Sequence, residues 1–476
     1  MAFLLANKLT IDYNGINMAG NFSRVKINFY GGAGSVTGAN FLLEEDNGIK
    51  ILFDCGLVQG AKDDPINTGA FPYDPSKIDY LIVSHAHIDH IGRIPKLVKD
   101  GFRGRILSTP PTREISEIML IDSLGILGKE AKYEKRDPIY NEDDVNRAMT
   151  FWDEGIPYHK EFKIGNFRVT FKDSGHILGS TITELIYNGK KIVYTGDLGN
   201  SPSVLLRDTE AITDADYLIM ESVYGDRNHE SHNVSRDMLE DAIENTVRAN
   251  GVLMIPAFSI EKTQEILFEI NKMMEESRIP LVKVFLDSPL AIKVTDIYKK
   301  YKSYFNDSAM REYAFHPEEG IFAFPQLLRT LKTEESVAIK NYSNPKIIIA
   351  GSGMSNGGRI LHHEKNYLPD KRSTLLVTGY QSVGTLGRLM QEGAKKVRIM
   401  GEEVQVKASI VSITGYSGHK GSDGLLDFVT HTADTVKKVF VVLGEPKSSL
   451  FLVQKIRDNL AIDASAPAYG ESCYLD

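Results

Sequence analysis

The chain has 476 residues, of which 42% are hydrophobic and 25% charged, and its formal net charge is −8. This length exceeds what one hydrophobic core usually supports, so we expect two domains. The acidic balance argues against the simplest nucleic-acid binder, which is basic overall, but a local groove can still attract RNA. No apolar run is long enough to span a membrane, and residues 1–6 turn polar too soon for a signal peptide. These features predict a cytoplasmic protein with no membrane partner.

The first candidate site residue follows a short apolar run. Residues 49–53 are predicted to form a strand, and Asp54 and Cys55 follow it directly. The other cysteine is Cys473, so there is no disulfide framework and no zinc-ribbon spacing. Taken alone, an aspartate at this place is explained by a turn or a cap.

The most informative segment lies between a predicted strand at residues 80–83 and a predicted helix at residues 91–98. It places three imidazoles and a carboxylate within six residues: His85, His87, Asp89 and His90. Loops of this kind carry function on a rigid scaffold. Solvated histidines in a polar helix cap are the alternative, but the density of ligands favours metal. Two ions about 3.5–4 Å apart are typical of such catalytic sites, so the segment predicts a two-metal centre.

Four residues cannot complete two catalytic metal sites, so further ligands are expected downstream. His176 lies between Gly175 and Gly179, and flanking glycines allow the sharp turn that presents an imidazole. Asp197 follows a predicted strand at residues 192–194, where a carboxylate could bridge two ions. His419 again lies beside a glycine.

The middle of the chain, roughly residues 223–385, alternates predicted strands and helices. The strands are at residues 252–255, 281–286, 347–350 and 375–377, and this alternation predicts a mostly parallel sheet covered by helices. Ligands bind outside the carboxyl ends of strands in such sheets. The glycine-rich residues 351–358 follow one strand and lead into a helix, so their backbone N–H groups are candidates for holding a phosphate. An ordinary glycine turn is the alternative.

These residues together have a family pattern. The segment from His85 to His90, with Asp54, His176 and Asp197 in that order, resembles the metallo-β-lactamase fold. Glu221 in Glu-Ser-Val-Tyr-Gly-Asp, the glycine-rich segments near residues 352–359 and 379–387, and Ser-Gly-His at His419 resemble the β-CASP branch of RNA-processing nucleases. The resemblance covers nearly the whole chain, with its motifs in order.

The resemblance implies an αββα sandwich with an inserted parallel-sheet α/β domain. We expect residues 1–222 and 386–476 to form the metallo-β-lactamase domain and residues 223–385 to form the inserted β-CASP domain. It assigns His85, His87 and His176 to a first zinc and Asp89, His90 and His419 to a second, with Asp197 bridging. Two Zn²⁺ ions are therefore expected, although these donors also suit Mn²⁺.

The remaining roles also come from the resemblance. Asp54 is expected to hydrogen-bond a ligand histidine, and Glu221 either to orient His419 or to assist the leaving group. The expected activity is metal-dependent hydrolysis of single-stranded RNA, endonucleolytic with a 5′ exonuclease mode, and a homodimer is compatible with it. The predicted substrate contacts are Ser352, Gly353, Met354, Ser355, Gly379, Gly384 and Thr385.

Some positions depart from the family pattern. Glu261 and Lys262 stand where bacterial relatives often have Gly-Arg, and Leu443 stands where they often have histidine. A family histidine expected after Leu386 is missing, and the pair His362-His363 is a candidate substitute that is equally explained as solvated or capping. Three alternatives stay open: a small-substrate hydrolase of the same fold, a DNA nuclease, and a non-catalytic RNA-binding scaffold subunit.

Overall fold

The computed structural model describes residues 24–46, 48–60, 64–316, 320–382 and 384–476. Residues 1–6, which entered the prediction about a signal peptide, lie outside the described residues. Among the described helices, none has the length and apolar character that a membrane crossing requires.

The strands provide the framework of the chain. In chain order they are β1 (Val25–Gly31), β2 (Asn40–Glu45), β3 (Lys50–Phe53), β4 (Tyr80–Ile82), β5 (Arg105–Leu107), β6 (Phe162–Ile164), β7 (Phe167–Asp173), β8 (Thr181–Tyr187), β9 (Lys190–Tyr194), β10 (Tyr217–Met220), β11 (Val252–Pro256), β12 (Lys283–Leu286), β13 (Leu327–Arg329), β14 (Lys346–Ala350), β15 (Thr374–Thr378), β16 (Lys396–Ile399), β17 (Glu402–Gln405), β18 (Ser409–Ile413), β19 (Lys438–Val441), β20 (Ala464–Ser465) and β21 (Ser472–Tyr474).

The helices cover the sheets that these strands form. In chain order they are α1 (Pro65–Thr68), α2 (Ile88–Ile91), α3 (Ile94–Lys99), α4 (Pro110–Glu134), α5 (Glu142–Thr150), α6 (His232–Arg248), α7 (Lys262–Glu275), α8 (Pro289–Lys300), α9 (Asp307–Phe315), α10 (Thr333–Ala338), α11 (Ile360–Tyr367), α12 (Leu386–Gln391), α13 (Ser422–Thr430) and α14 (Pro446–Leu460).

Two mixed sheets form a sandwich. The first has the order β21-β1-β2-β3-β4-β5 and the second the order β20-β19-β10-β9-β8-β7-β6. Buried aromatic side chains meet between them: Phe29 lies 5.3 Å from Phe440 and Phe53 lies 5.1 Å from Tyr194, measured between ring centroids. Helices α3, α4 and α5 pack on the outer face of the first sheet, and α13 and α14 on that of the second. This is the predicted αββα sandwich.

The third sheet is entirely parallel, with the order β13-β12-β14-β11-β15-β18. Helices α7 and α8 contribute to the core on one of its faces, and α11 and α12 to the core on the other. The predicted parallel α/β insertion is therefore confirmed as a fold class. Its sheet includes β18, which pairs with β15 beyond the predicted boundary at residue 385. The domain boundaries stay predictions, and this pairing favours a later end of the insertion.

The segment after β4 differs in detail from its prediction. One helix was expected at residues 91–98, but two short helices form, and Asp89 and His90 lie within the first of them. Gly92 ends α2, and Pro95 stands in the first turn of α3. Proline lacks a backbone N–H, but the N–H groups of a first turn make no hydrogen bond within the helix, so proline is tolerated there.

Candidate metal centre

Most of the candidate site residues gather beyond the carboxyl ends of strands in the two-sheet sandwich. Asp54 follows β3, His85 and His87 follow β4, His176 follows β7, and Asp197 follows β9. Neighbouring parallel strands bring their carboxyl ends to one edge, so residues distant in sequence meet there. His419 reaches the same edge through a bridge to Gly199.

The turn that carries Asp89 and His90 depends on close backbone packing. Gly56 lies against it so tightly that a Cβ atom added there would be 1.5 Å from the carbonyl oxygen of Asp89. The N–H of Cys55 also donates to the carbonyl of His90 at 2.7 Å. Both contacts hold the first turn of α2 against the strand end that carries Asp54.

The first group of candidate ligands consists of His85, His87, His176 and Asp197, whose ligand atoms lie within 4.8 Å of one another. His87 Nδ1 is 3.1 Å from His85 Nε2 and 3.2 Å from His176 Nε2. Asp197 Oδ2 is 3.4 Å from His85 Nε2 and 3.5 Å from His176 Nε2. Imidazole nitrogens and one carboxylate oxygen thus face a common point, as a cation requires.

A second group shares Asp197 and adds Glu221 and His419. The His419 Nδ1 atom is 3.2 Å from Glu221 Oε1 and 3.9 Å from Asp197 Oδ2. His90 Nε2 lies 3.4 Å from Asp197 Oδ2, yet it is buried and has no hydrogen-bond partner among the described residues. A buried polar nitrogen without a partner is costly, and a bound cation would satisfy it.

Asp89 stands further from this second group. Its Oδ2 atom is 4.0 Å from His90 Nε2, and it belongs to neither of the two groups. The resemblance placed Asp89 with His90 and His419, whereas the geometry places Glu221 there. The assignment of these ligands stays a prediction.

Asp54 holds the neighbouring His90 in place. Its Oδ2 atom accepts hydrogen bonds from His90 Nδ1 at 2.7 Å, the Ser84 hydroxyl at 2.7 Å and the Tyr194 hydroxyl at 2.6 Å. Its Oδ1 atom accepts the Ser84 backbone N–H at 2.7 Å. Because Nδ1 of His90 donates to Asp54, its Nε2 lone pair faces the centre. In the same way His176 donates from Nδ1 to the carbonyl of Gly418 at 2.8 Å.

The pKa values of three histidines favour the binding of a cation. Burial lowers the pKa of His85 and His176 well below the usual value and lowers that of His87 to about 3, so all three are neutral near pH 7. Burial opposes the ionisation of Asp197, but the imidazoles of His90 and His85 beside it outweigh burial and hold its pKa well below the usual value. Neutral imidazoles and an ionised carboxylate are the forms that bind metals.

His419 behaves differently because of its neighbour. Burial acts to lower its pKa, but the charge and hydrogen bond of Glu221 outweigh burial and raise the pKa to about 9. Glu221 Oε1 also accepts the Leu198 N–H at 2.6 Å, which fixes the carboxylate in the interior.

Three supporting residues were not found from the sequence. Ser84 and Tyr194 both donate to Asp54, but a serine at a strand end and a tyrosine in an apolar strand look like ordinary structural residues. His229 lies 3.1 Å from the carbonyl of His419 through Nε2, and its ring is 4.3 Å from that of Tyr224. The position of His229 after the motif that begins at Glu221 was the available signal.

The predicted substrate contacts form one rim of the parallel sheet. Gln381 donates to the carbonyl of Gly353 at 3.0 Å, and the N–H of Gly387 donates to that of Met354 at 3.1 Å. These bonds join the segment containing Ser352 to the segment from Gly379 to Gly387.

Two predicted contact side chains point elsewhere. The hydroxyl of Ser355 is buried and donates to Glu364 at 2.5 Å, and Thr385 caps α12 by accepting the Arg388 N–H at 3.2 Å. His363 is also buried and hydrogen-bonds Asp287 at 2.7 Å.

The rim and the metal centre are connected through aromatic side chains. The ring of Tyr224 lies 6.3 Å from His419 and 6.3 Å from Tyr380, the residue that follows Gly379. Tyr380 also donates to Glu445 at 2.6 Å, which joins this rim to the residue that precedes α14.

Family models match most of the chain in three consecutive parts. Residues 36–256 match the metallo-beta-lactamase superfamily, residues 263–390 the Beta-Casp domain, and residues 403–467 a Zn-dependent metallo-hydrolase RNA specificity domain.

Proteins of similar sequence cover nearly the whole chain. Ribonuclease TTHA0252 of Thermus thermophilus is 36% identical over 426 residues, 89% of this chain and 94% of that protein. An RNase J-like protein of Methanocaldococcus jannaschii is 32% identical over 453 residues, 94% of this chain and 99% of the relative. Transcription termination factor FttA of Methanosarcina mazei is 29% identical over 460 residues, 93% of this chain and 70% of the factor.

A solved structure shares the fold. It is a protein of unknown function from Enterococcus faecalis with a TM-score of 0.54 and 12% identity, covering 95% of this chain and all of that one.

Proposed function

The chain belongs to the metallo-β-lactamase superfamily, in its β-CASP branch, and we propose on this premise that it is a metal-dependent ribonuclease. It hydrolyses phosphodiester bonds of single-stranded RNA, endonucleolytically and with a 5′ exonuclease mode. The observation that carries the proposal is the position of Asp197, whose Oδ2 atom lies within 3.5 Å of the Nε2 atoms of His85, His90 and His176.

The residues present fit two divalent cations. Nitrogen and oxygen donors without thiolate suit Zn²⁺, with Mn²⁺ as the second choice, and the unpartnered Nε2 of buried His90 needs such a ligand. His85, His87 and His176 would hold one ion; His90, His419 and Asp89 or Glu221 the other; Asp197 would contact both. When bound, such ions lower the pKa of a coordinated water to about 7 and polarise the phosphoryl group.

The protein's own residues orient these ligands. Asp54 keeps the proton of His90 on Nδ1, and the carbonyl of Gly418 does the same for His176, so both Nε2 atoms remain available. The contacts of Glu221 favour the role of orienting His419. Its Oε1 atom already accepts the N–H of Leu198 and lies within hydrogen-bond distance of the His419 imidazole. A carboxylate held this way is poorly placed to protonate a leaving group.

The substrate is inferred from the inserted domain and from the relatives. A small thioester or lactam needs no inserted α/β domain with a glycine-rich rim, whereas a chain of nucleotides uses a long cleft and backbone N–H groups for its phosphates. Two relatives carry ribonuclease in their names, and the last family model is described as an RNA specificity domain. An intact candidate ligand set also argues against a non-catalytic scaffold.

Product mapping on a 5′-labelled single-stranded RNA tests the proposal. Wild type is compared with His87→Ala and with His431→Ala, a change at an exposed histidine that serves as the matched control. Internal fragments are expected from wild type and His431→Ala in the presence of Zn²⁺, and none from His87→Ala. No cleavage by metal-loaded wild type would refute the nuclease, and equal cleavage of a matched DNA strand would refute RNA selectivity.

The homodimer and the cytoplasmic location stay predictions. Sedimentation of the purified protein tests the homodimer directly.

A further inference from the structure

Glu261 has a backbone conformation that side chains other than glycine rarely adopt. It stands immediately before α7 with φ 60° and ψ −58°, and the N–H of Lys262 donates to the carbonyl of Ile260 at 2.7 Å. This is a γ-turn with a positive φ at its centre, a rare and strained form. Strain of this kind persists only where the surrounding structure enforces it, and it concentrates at functional sites.

The side chain of Glu261 is as unusual as its backbone. Only 5% of the residue is exposed, and its Oε1 atom has no hydrogen-bond partner among the described residues. Burial, together with the charge of the nearby Glu265, raises the pKa of Glu261 well above the usual value. Its Oε2 atom accepts the hydroxyl of Tyr298 at 2.5 Å.

Tyr298 also forms a hydrogen bond with the metallo-β-lactamase domain. It is fully buried on α8, and its oxygen accepts the backbone N–H of Leu178 at 3.3 Å. Leu178 lies two residues after His176, and its side chain packs in the same core as Ile260. A continuous chain of hydrogen bonds therefore runs from the strained turn to the loop that carries a candidate ligand.

The His176 loop borders a small space. A cavity of about 10 Å³, room for about one water molecule, is lined by His176 and Gly418 on one side and by His232 and Glu265 on the other. Tyr298 supplies a direct hydrogen bond to the backbone of this loop from α8.

We infer that Glu261, acting through Tyr298, is a positioning residue that ties the inserted domain to the His176 loop and holds His176 at the metal centre. The inference rests on the proposed function for its catalytic consequence. The strain at Glu261 is retained because glycine, which suits the turn better, lacks the carboxyl that holds Tyr298.

The test compares Glu261→Gly, Glu261→Gln and Tyr298→Phe with wild type. The matched control is Ser277→Gly, another non-glycine residue with positive φ, at the other end of α7 and exposed. Four quantities are measured on the Zn²⁺-loaded protein: the rate of metal loss to a chromophoric chelator, the Tm, and kcat and KM on RNA.

Glu261→Gly is expected to leave the Tm within about 2 °C of wild type, because relief of the strain offsets the hydrogen bond that Tyr298 loses. It should nevertheless lose metal about tenfold faster, as when a supporting partner of a ligand is removed, and lower kcat with KM unchanged. Glu261→Gln, which keeps an acceptor, should behave like wild type. Tyr298→Phe should lose metal as fast as Glu261→Gly, and the double variant no faster than either.

The inference is overturned if Glu261→Gly keeps its metal as Ser277→Gly does, or if it loses metal only in step with a fall in Tm. It is equally overturned if Tyr298→Phe folds and retains metal at the wild-type rate. A wild type that binds metal but cleaves no RNA would defeat the proposed function, while the comparison of metal loss would still decide the positioning role.

Discussion

The substitution Asp54→Asn isolates what the carboxylate does for His90. Wild-type Asp54 accepts four buried hydrogen bonds, three of them at Oδ2. An asparagine can accept at one oxygen only. If that oxygen takes the place of Oδ2, the NH₂ group of the asparagine faces the backbone N–H of Ser84. The Ser84 N–H then stays buried without an acceptor.

The magnitude follows from these contacts. A buried unpaired N–H costs about 1–3 kcal/mol, and the three remaining bonds, no longer to a charged acceptor, each weaken by about 1 kcal/mol. The metal-free variant should therefore lose about 4–6 kcal/mol of unfolding free energy. Because His90 also loses a charged partner at Nδ1, affinity for Zn²⁺ should fall by about 10–100-fold.

Urea unfolding of the metal-free proteins measures the unfolding free energy, and competition with a chromophoric chelator measures the affinity for Zn²⁺. Asp434→Asn, at an exposed aspartate, provides the matched control. If Asp54→Asn keeps its unfolding free energy within about 1 kcal/mol of wild type and its zinc affinity within about twofold, the orienting role is refuted, since the effects above are several times larger.

Two further changes test the neighbouring residues. Glu221→Gln removes the charge that raises the pKa of His419 to about 9. The pKa of His419 in the unfolded chain is about 6.5. In the metal-free wild type, protonation of folded His419 therefore stabilises the fold fully below about pH 6.5, and this stabilisation is lost as the pH rises through about 9. The variant should show a flatter fall in unfolding free energy across that range, and an unchanged slope would contradict the assignment. Gly56→Ala places a Cβ atom 1.5 Å from the carbonyl oxygen of Asp89. It should cost about 3 kcal/mol in thermal unfolding, whereas Gly125→Ala, in open space within a helix, should be neutral or stabilising; equal effects would show that the turn adapts.

The sequence predicted the fold class and most of the centre because the signal was dense and local. Three imidazoles and a carboxylate occur within six residues, and each strand end nearby is followed by a polar residue. Helix caps and solvated histidines do not produce such a density. His90, Asp54 and His176 could be proposed together because the family pattern orders them along the chain.

What the sequence missed depends on contacts between distant segments. Tyr194 lies in an apolar strand and is indistinguishable from a core tyrosine until its hydroxyl meets Asp54. The pairing of β18 with β15 has no local signature, so nothing in the pattern suggested that the parallel sheet continues beyond residue 385. The break between α2 and α3 was readable from Gly92 and Pro95, yet apolar periodicity favoured one continuous helix.

The sandwich is closed by strands from the far end of the chain, and this has a consequence for biosynthesis. β10 pairs with β19 and β1 with β21, partners more than 200 residues apart. His419, too, is translated long after the loop that carries His85. A nascent chain on the ribosome therefore exposes part of the ligand set without a finished cleft, and nuclease activity arises only once synthesis has passed these last strands.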